Sequence, residues 1–304
     1  MIYEGDIAMS NETKLKKDIV FKDYFGNPVI FTDFLNGSLY DGNYHYHEQF
    51  FETDDTDMSL VDIDKLETYE RRRDVAFRYK NNQGVSFICL ENQSDVDEVM
   101  PVRILVYDAF RYNKQLQRGN DIHYVKTFTF YCGDREWKHP LNLRGVLKSH
   151  QDINDENNDW KIELIDLKKL NEDSYKIESN YLLVKYGKMI LKYGKDPKLF
   201  KGISLPRRLF ILLASLLGTD EIFNYAKEIK KEEINMCESL EYLLNTGRAE
   251  GRIQGKEEGR VEGKRETRIE NIKSLMKNAH FSIKQAMDTL EVPINERDEI
   301  KALL

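Results

Sequence analysis

The sequence predicts an α/β fold, a small central sheet flanked by helices and followed by a helical C-terminal extension. Three observations predict it. Apolar residues recur at near-helical spacing between Lys14 and Leu39. Two alternating runs, DVAFRYK (Asp74 to Lys80) and VSFICLENQ (Val85 to Gln93), flank the turn-forming 81–84 and read as a β-hairpin. A helical stretch from Asp95 to Gln117 then leads into a strand from His123 to Cys132.

Each element has its own reason. Residues 1–13 read as a loose tail. In the first helical stretch Ile19, Phe21, Phe25, Val29 and Phe34/Leu35 form the apolar series, and Gly26-Asn27-Pro28 splits it in two. Residues 41–68 are polar and acidic, with one short strand expected near Gln49 to Glu52. In 95–117 the expected apolar stripe is Val99, Val102, Val106 and Ala109/Phe110, with Pro101 tolerated in the first turn. A second short strand is expected near Lys161 to Ile165. The pattern from Ser179 to Asn245 is helical, with Leu205 to Leu217 its most apolar piece.

Residues 246–270 differ in kind. Glycine stands at 247, 251, 255, 259 and 263, and basic residues at 248, 252, 256, 260, 264 and 268. Glutamate stands at 250, 258, 262, 266 and 270, with Gln254 completing that series. On a helix this stacks like charge on like charge, which destabilises it in isolation. Each glycine adds about 1 kcal/mol relative to alanine. The segment reads either as an arm that a second copy stabilises, acidic stripe against basic stripe, or as a flexible charged linker. The expected organisation is a tail (1–13), an α/β domain (14–245), the period-four arm (246–279) and a small helical tail (280–304), broken at Val292-Pro293.

Composition narrows the function. The chain has 304 residues, room for about two domains. Its formal net charge of -7 excludes a generally basic nucleic-acid coat but leaves room for a local basic patch. The longest strongly apolar run, Leu209 to Leu217, is far short of the roughly 20 residues of a membrane span. The N-terminus has no charged-then-apolar signal pattern. Cys89, Cys132 and Cys237 form no CxxC pair, and they read as reduced thiols of a cytoplasmic protein.

The hairpin carries the chemistry. If its loop holds two residues (Asn82-Gln83) or four, Asp74 lies opposite Glu91, Val75 opposite Leu90 and Phe77 opposite Ile88. A three-residue loop would pair Asp74 with Asn92 instead. Directly opposed Cβ atoms are ~4.5–5.5 Å apart. Two carboxylates at that distance repel one another unless a cation lies between them. Mg²⁺ is suited to that place, being held by one or two carboxylates with water and substrate phosphate. Gln93 shares a strand face with Glu91, where its amide would orient an attacking water. That arrangement fits phosphodiester hydrolysis. On spacing alone, solvated acids at strand ends explain the pattern at least as well.

Asp74, a hairpin, Glu91-x-Gln93 and a following helix resemble the PD-(D/E)XK nuclease core. More specifically, the chain resembles the Rpn family of recombination-promoting nucleases, transposases of the PD-(D/E)XK type. The residues that carry this are Asp18-Ile-Val-Phe-Lys-Asp-Tyr-Phe25, Asp33-Phe-Leu-Asn36, Arg71-Arg-Arg-Asp74, Leu90-Glu-Asn-Gln93 and Met100-Pro-Val-Arg-Ile-Leu-Val-Tyr107. The glycine repeat and helical tail also match, so the likeness runs from about residue 14 to 300. It implies a Mg²⁺-dependent DNA endonuclease, with Mn²⁺ able to replace Mg²⁺, acting in recombination. Asp74 and Glu91 would be metal ligands, with Asp18 as the acid of the first helix, and Gln93 would take the motif's lysine position. Two departures stand out. Arg73 replaces the motif's proline, with little chemical consequence expected, and Gln93 cannot supply the lysine's charge. A non-cleaving DNA-binding or oligomeric scaffold of the same fold is the alternative.

Further expectations follow. Arg71, Arg72, Arg103 and Arg111 are candidate phosphate contacts. Self-association through 247–270 is the expected partner interaction besides DNA. His45 and His47 read as surface histidines, Trp137 as core, and Ser282 as the cap of a helix through Leu290.

Overall fold

The computed structural model describes residues 11–62, 67–119, 121–147, 159–217, 225 and 231–304. Most of the expected tail 1–13 lies outside them. Helices α1 (Asn11–Phe25) and α2 (Pro28–Tyr40) break where expected. The Asn27 side chain accepts from the Val29 and Ile30 N–H groups and Pro28 opens the first turn, so α2 begins on a capped end.

The strands that follow are β1 (Phe51–Thr53), β2 (Asp57–Asp62), β3 (Glu67–Arg72), β4 (Val75–Asn81) and β5 (Gly84–Gln93). Helix α3 (Met100–Gln117), β6 (Tyr124–Tyr131), the short α4 (Leu143–Val146) and β7 (Glu163–Asp166) complete the sheet region. The sheet is mixed, in the order β1-β4-β5-β6-β7, antiparallel up to β5 and parallel beyond it. The strands expected near 49–52, 123–132 and 161–165 are β1, β6 and β7. The β2–β3 pair is an addition, because 41–68 was expected to hold one strand. Helix α3 starts at Met100 rather than Asp95. Pro101 sits in the first turn, where its missing N–H costs no intrahelical bond and its fixed φ suits a helix start.

The sheet is covered on both faces. On one, Phe77 and Phe130 meet the aromatics of α1 and α2. Phe31 lies 4.7 Å from Phe77, Phe25 4.8 Å from Phe34 and Phe34 5.0 Å from Phe130 between ring centroids. Such pairs contribute about 0.5–1.5 kcal/mol each beyond their burial. On the other face, α3 crosses the strands and Asp108 reaches Thr127 on β6.

The inward side of α3 differs from the expected stripe. Val99 and Val106 are exposed, while Ile104, Tyr107, Asp108, Arg111 and Gln115 are buried. The reason lies in the sheet beneath, which presents Glu91, Thr127 and Thr129 on this face and selects a polar helix side.

Helices α5 (Glu178–Tyr193) and α6 (Arg207–Leu216) follow. The stretch 179–245, expected to be helical, is interrupted by a ribbon of β8 (Ser204–Pro206) and β9 (Glu233–Asn235). Leu205 therefore belongs to a strand, while Leu209, Phe210 and Leu212 to Leu216 are buried on α6.

The chain divides into two compact units, Met1–Leu240 and Glu241–Leu304. The period-four repeat lies on one long helix, Met236–Asn278. The second unit has its own small core of Ile272, Ala286, Met287, Val292 and Ile300. Ser282 and Gln285 form a reciprocal capping box at the start of the helix Ile283–Thr289. Among the described residues, no helix is long and apolar enough to cross a membrane.

Candidate active site

Strands β4 and β5 pair Val75 with Leu90, Phe77 with Ile88 and Asn81 with Gly84, around the two-residue turn Asn82-Gln83. Gly84 has φ +135°, a conformation that favours glycine. The register runs on to set Asp74 opposite Glu91. Asp74 stands just before β4, and its carboxylate accepts the Asn92 N–H at 2.7 Å.

Glu91 lies on the side of the sheet that α3 covers. It is 4% exposed, and its Oε1 accepts no hydrogen bond. The nearest opposite charge is Arg73 Nη1, at 3.9 Å. Burial raises the Glu91 pKa well above the ordinary carboxylate range. The Asp74 charge raises it further, and Arg73 and Arg103 oppose the shift without cancelling it. A buried acid short of partners, facing a second acid, is an arrangement that an added cation would stabilise.

Arg73 organises the floor of this site. It is buried, donating from Nη2 to Asp108 (2.7 Å) and from Nη1 to Thr127 (2.5 Å), while Thr127 donates to Asp108 (2.6 Å). Its N–H donates to the Thr56 carbonyl. The expectation that replacing proline here has little consequence is therefore corrected. Arg73 links three elements and stands beside the buried acid. Asp108 and Thr127, which sequence reasoning passed over, complete the triad. A charged residue one turn from Ile104 and three residues from Arg111 was the available signal for Asp108.

Gln93 is engaged at both ends of its amide. Nε2 donates to the Asp95 carbonyl (2.8 Å), and Oε1 accepts from Arg103 Nη1 at 3.5 Å. Arg103 also pairs with Asp97 at 2.5 Å and keeps about a third of its side chain exposed.

The other expected site residues are scattered. Arg111 is buried, paired with Asp54 (2.6 Å), bonded to the Asp55 carbonyl and set 4.9 Å from the Phe87 ring centre. Its charge is used inside the fold, which departs from the expected phosphate contact. Arg71 and Arg72 end β3, opposite Met58 and Asp57.

Asp18 is exposed on α1. Lys22, one turn further, donates to Thr56, the residue whose carbonyl holds Arg73. Among the described residues, no three His, Cys, Asp or Glu side chains converge as a metal-binding group, so Asp18 does not join Asp74 and Glu91 in one.

His45 stacks on Tyr40 with centroids 4.1 Å apart, and His47 lies parallel to Tyr44. Trp137 is buried edge-on to Tyr131. None of the three cysteines is in a disulfide, and burial pushes the Cys89 thiol up to about 11, which suits an inert core thiol.

Residues 16–204 match the family model described as "Putative transposase, YhgA-like". No curated protein and no solved structure matches the chain.

Proposed function

The chain belongs to the family of YhgA-like transposases, and on that premise we propose that it is a metal-dependent DNA endonuclease with a PD-(D/E)XK-type core. One observation carries the reading: the Glu91 carboxylate is buried and short of hydrogen bonds, and its pKa is raised by that burial and further by the facing Asp74. The order of hairpin, helix and parallel strand that surrounds it supports the same reading.

The donor set fits a hard divalent cation. Two carboxylates with substrate oxygens and water are what Mg²⁺ ordinarily takes, and Mn²⁺ accepts the same donors. When bound, the cation would make a water more acidic and offset charge on the phosphate. The protein's own residues prepare for this. The Asn92 N–H holds the Asp74 carboxylate in place. Arg73, fixed by Asp108 and Thr127, keeps a positive charge beneath Glu91 and favours its ionised form.

Cleavage of supercoiled plasmid, with Mg²⁺ or EDTA, tests the reading beside Asp74→Ala and Glu91→Ala. Mg²⁺-dependent nicking lost in both variants supports it. Equal nicking by all three proteins rejects this site, and DNA binding without nicking supports the scaffold alternative. The arm at 247–270 is proposed as the self-association element. Light scattering on the full chain and on a 1–246 truncation tests it, and monomers in both samples reject it.

A further inference from the structure

We infer that Arg103 is the cation of this active site, and that Gln93 serves to hold it there. The inference rests on the nuclease reading and extends it to a residue whose charge acts on the reacting phosphate. Attack on a phosphodiester builds negative charge at the phosphate and the incoming oxygen, beside two carboxylates that would hold the metal in their ionised form. A positive charge close by lowers that barrier. Gln93 is neutral and cannot provide it.

The geometry supplies the charge from the next element. Arg103 lies in the first turns of α3, one helical turn before Tyr107. Its Nη1 reaches both the Gln93 side-chain Oε1 and the Asp97 carboxylate. Asp97 is itself fixed by accepting the Val99 N–H, and the other end of the Gln93 amide donates to Asp95. Loop 94–99 thus clamps the guanidinium on the Gln93 side of Glu91.

Exposure separates Arg103 from the other arginines of this face. Arg73 and Arg111 are almost fully buried and bonded within the fold, whereas the Arg103 side chain is 35% exposed. A guanidinium carries five N–H donors, so bonds to Asp97, Gln93 and Tyr107 leave others for a phosphate oxygen. The competing account is that Arg103 only ties the loop to the helix. The two accounts differ in sign. A cation beside two carboxylates weakens metal binding, so its removal tightens the metal while slowing cleavage. Loss of a structural tie loosens both.

The full-length chain is compared with Arg103→Ala, Arg103→Gln, Arg103→Lys and the double variant Gln93→Lys/Arg103→Ala. Three quantities are read: Mg²⁺-dependent nicking, affinity for Mn²⁺ alone by titration calorimetry, and thermal melting. Arg103→Ala, or Arg103→Gln if alanine melts below the assay temperature, is expected to slow nicking about 100-fold and to bind Mn²⁺ more tightly. Arg103→Lys is expected to fall between them and the wild type. Gln93→Lys in the Arg103→Ala background is expected to recover at least about tenfold of the loss, because it returns a charge to the same place.

Nicking by Arg103→Gln within about threefold of the wild type overturns the inference. So does a fall in Mn²⁺ affinity alongside the loss of nicking, or a double variant no faster than Arg103→Ala. Wild-type protein that binds Mn²⁺ but never nicks overturns the nuclease reading itself, and the inference with it. The other three outcomes leave that reading standing.

Discussion

Arg73 and Glu91 show how one buried ion sets the terms for its neighbour. Removing one member of a buried pair strands the other charge and costs about 3–5 kcal/mol. Arg73→Met is therefore expected to lower the urea-unfolding free energy by that amount, because Asp108 loses a 2.7 Å partner inside the protein. A loss below about 1 kcal/mol would mean that water reaches Asp108.

Glu91 has the opposite sign. Its folded pKa lies above its unfolded one, so the unfolded chain gives up its proton first as pH rises. Folding stability is then lost with rising pH between the two values, and the penalty is fully present above the folded one. Glu91→Gln should raise the melting temperature of metal-free protein at neutral pH. The gain should shrink as pH falls from the raised folded value towards the ordinary carboxylate range, and added Mg²⁺ should stabilise the wild type but not the variant. A difference that is independent of pH would show that Glu91 is not the strained group.

At this scale the sequence was legible where spacing decides and silent where tertiary contact does. The pairing of Asp74 with Glu91 follows from turn length alone. Nothing in Arg71-Arg72-Arg73 marks Arg73 as turned inward, since that depends on Asp108, 35 residues away.

Elements were legible in proportion to how far their own pattern fixes them. Strands β4 and β5 alternate with period two, and their register is set by a two-residue turn. Helix α3 misled for a physical reason. Its valines form a helical stripe that looks inward by composition, yet the sheet face beneath is polar, so the helix turns Asp108, Arg111 and Gln115 to the sheet and leaves Val106 in water. This has a direct consequence for mutation. Val106→Ser is expected to change stability by less than about 0.5 kcal/mol. Ile104→Ala, 1% exposed and packed with Met100, Tyr131 and Trp137, is expected to cost about 2–5 kcal/mol. Urea unfolding of the two variants side by side checks the rotation of α3, and the reverse ranking would mean that the helix sits the other way round. The 179–245 stretch failed differently. Leu205 continues an apolar run that composition alone assigns to a helix, but its pairing partner is Ile234, 29 residues on, and no local pattern reports that bond.

For the whole molecule, the sharpest change in sequence texture falls near the change in architecture. The four-residue repeat begins at Gly247, close to where the second compact unit begins at Glu241. Lone helix physics leaves the repeat unexplained. A side chain added at Gly247, Gly251, Gly255, Gly259 or Gly263 would meet nothing within 4 Å among the described residues, so packing within this chain does not require glycine at any of the five. Three of them replaced by alanine, Gly251, Gly255 and Gly259, should favour the helix by about 3 kcal/mol in sum. Circular dichroism of the full chain should show gained helicity or a later arm transition. The two readings of the arm then separate on association. If glycines serve close approach to a second copy, the triple variant gains helix but loses dimer in light scattering, because added methyl groups hold the helices apart. If the arm is a charged linker, helix content rises and the oligomeric state stays that of the wild type. A variant that gains helix and associates more strongly would count against the linker and against close approach through the glycines, and would leave the arm's contact to its charged stripes, where raised salt weakens it.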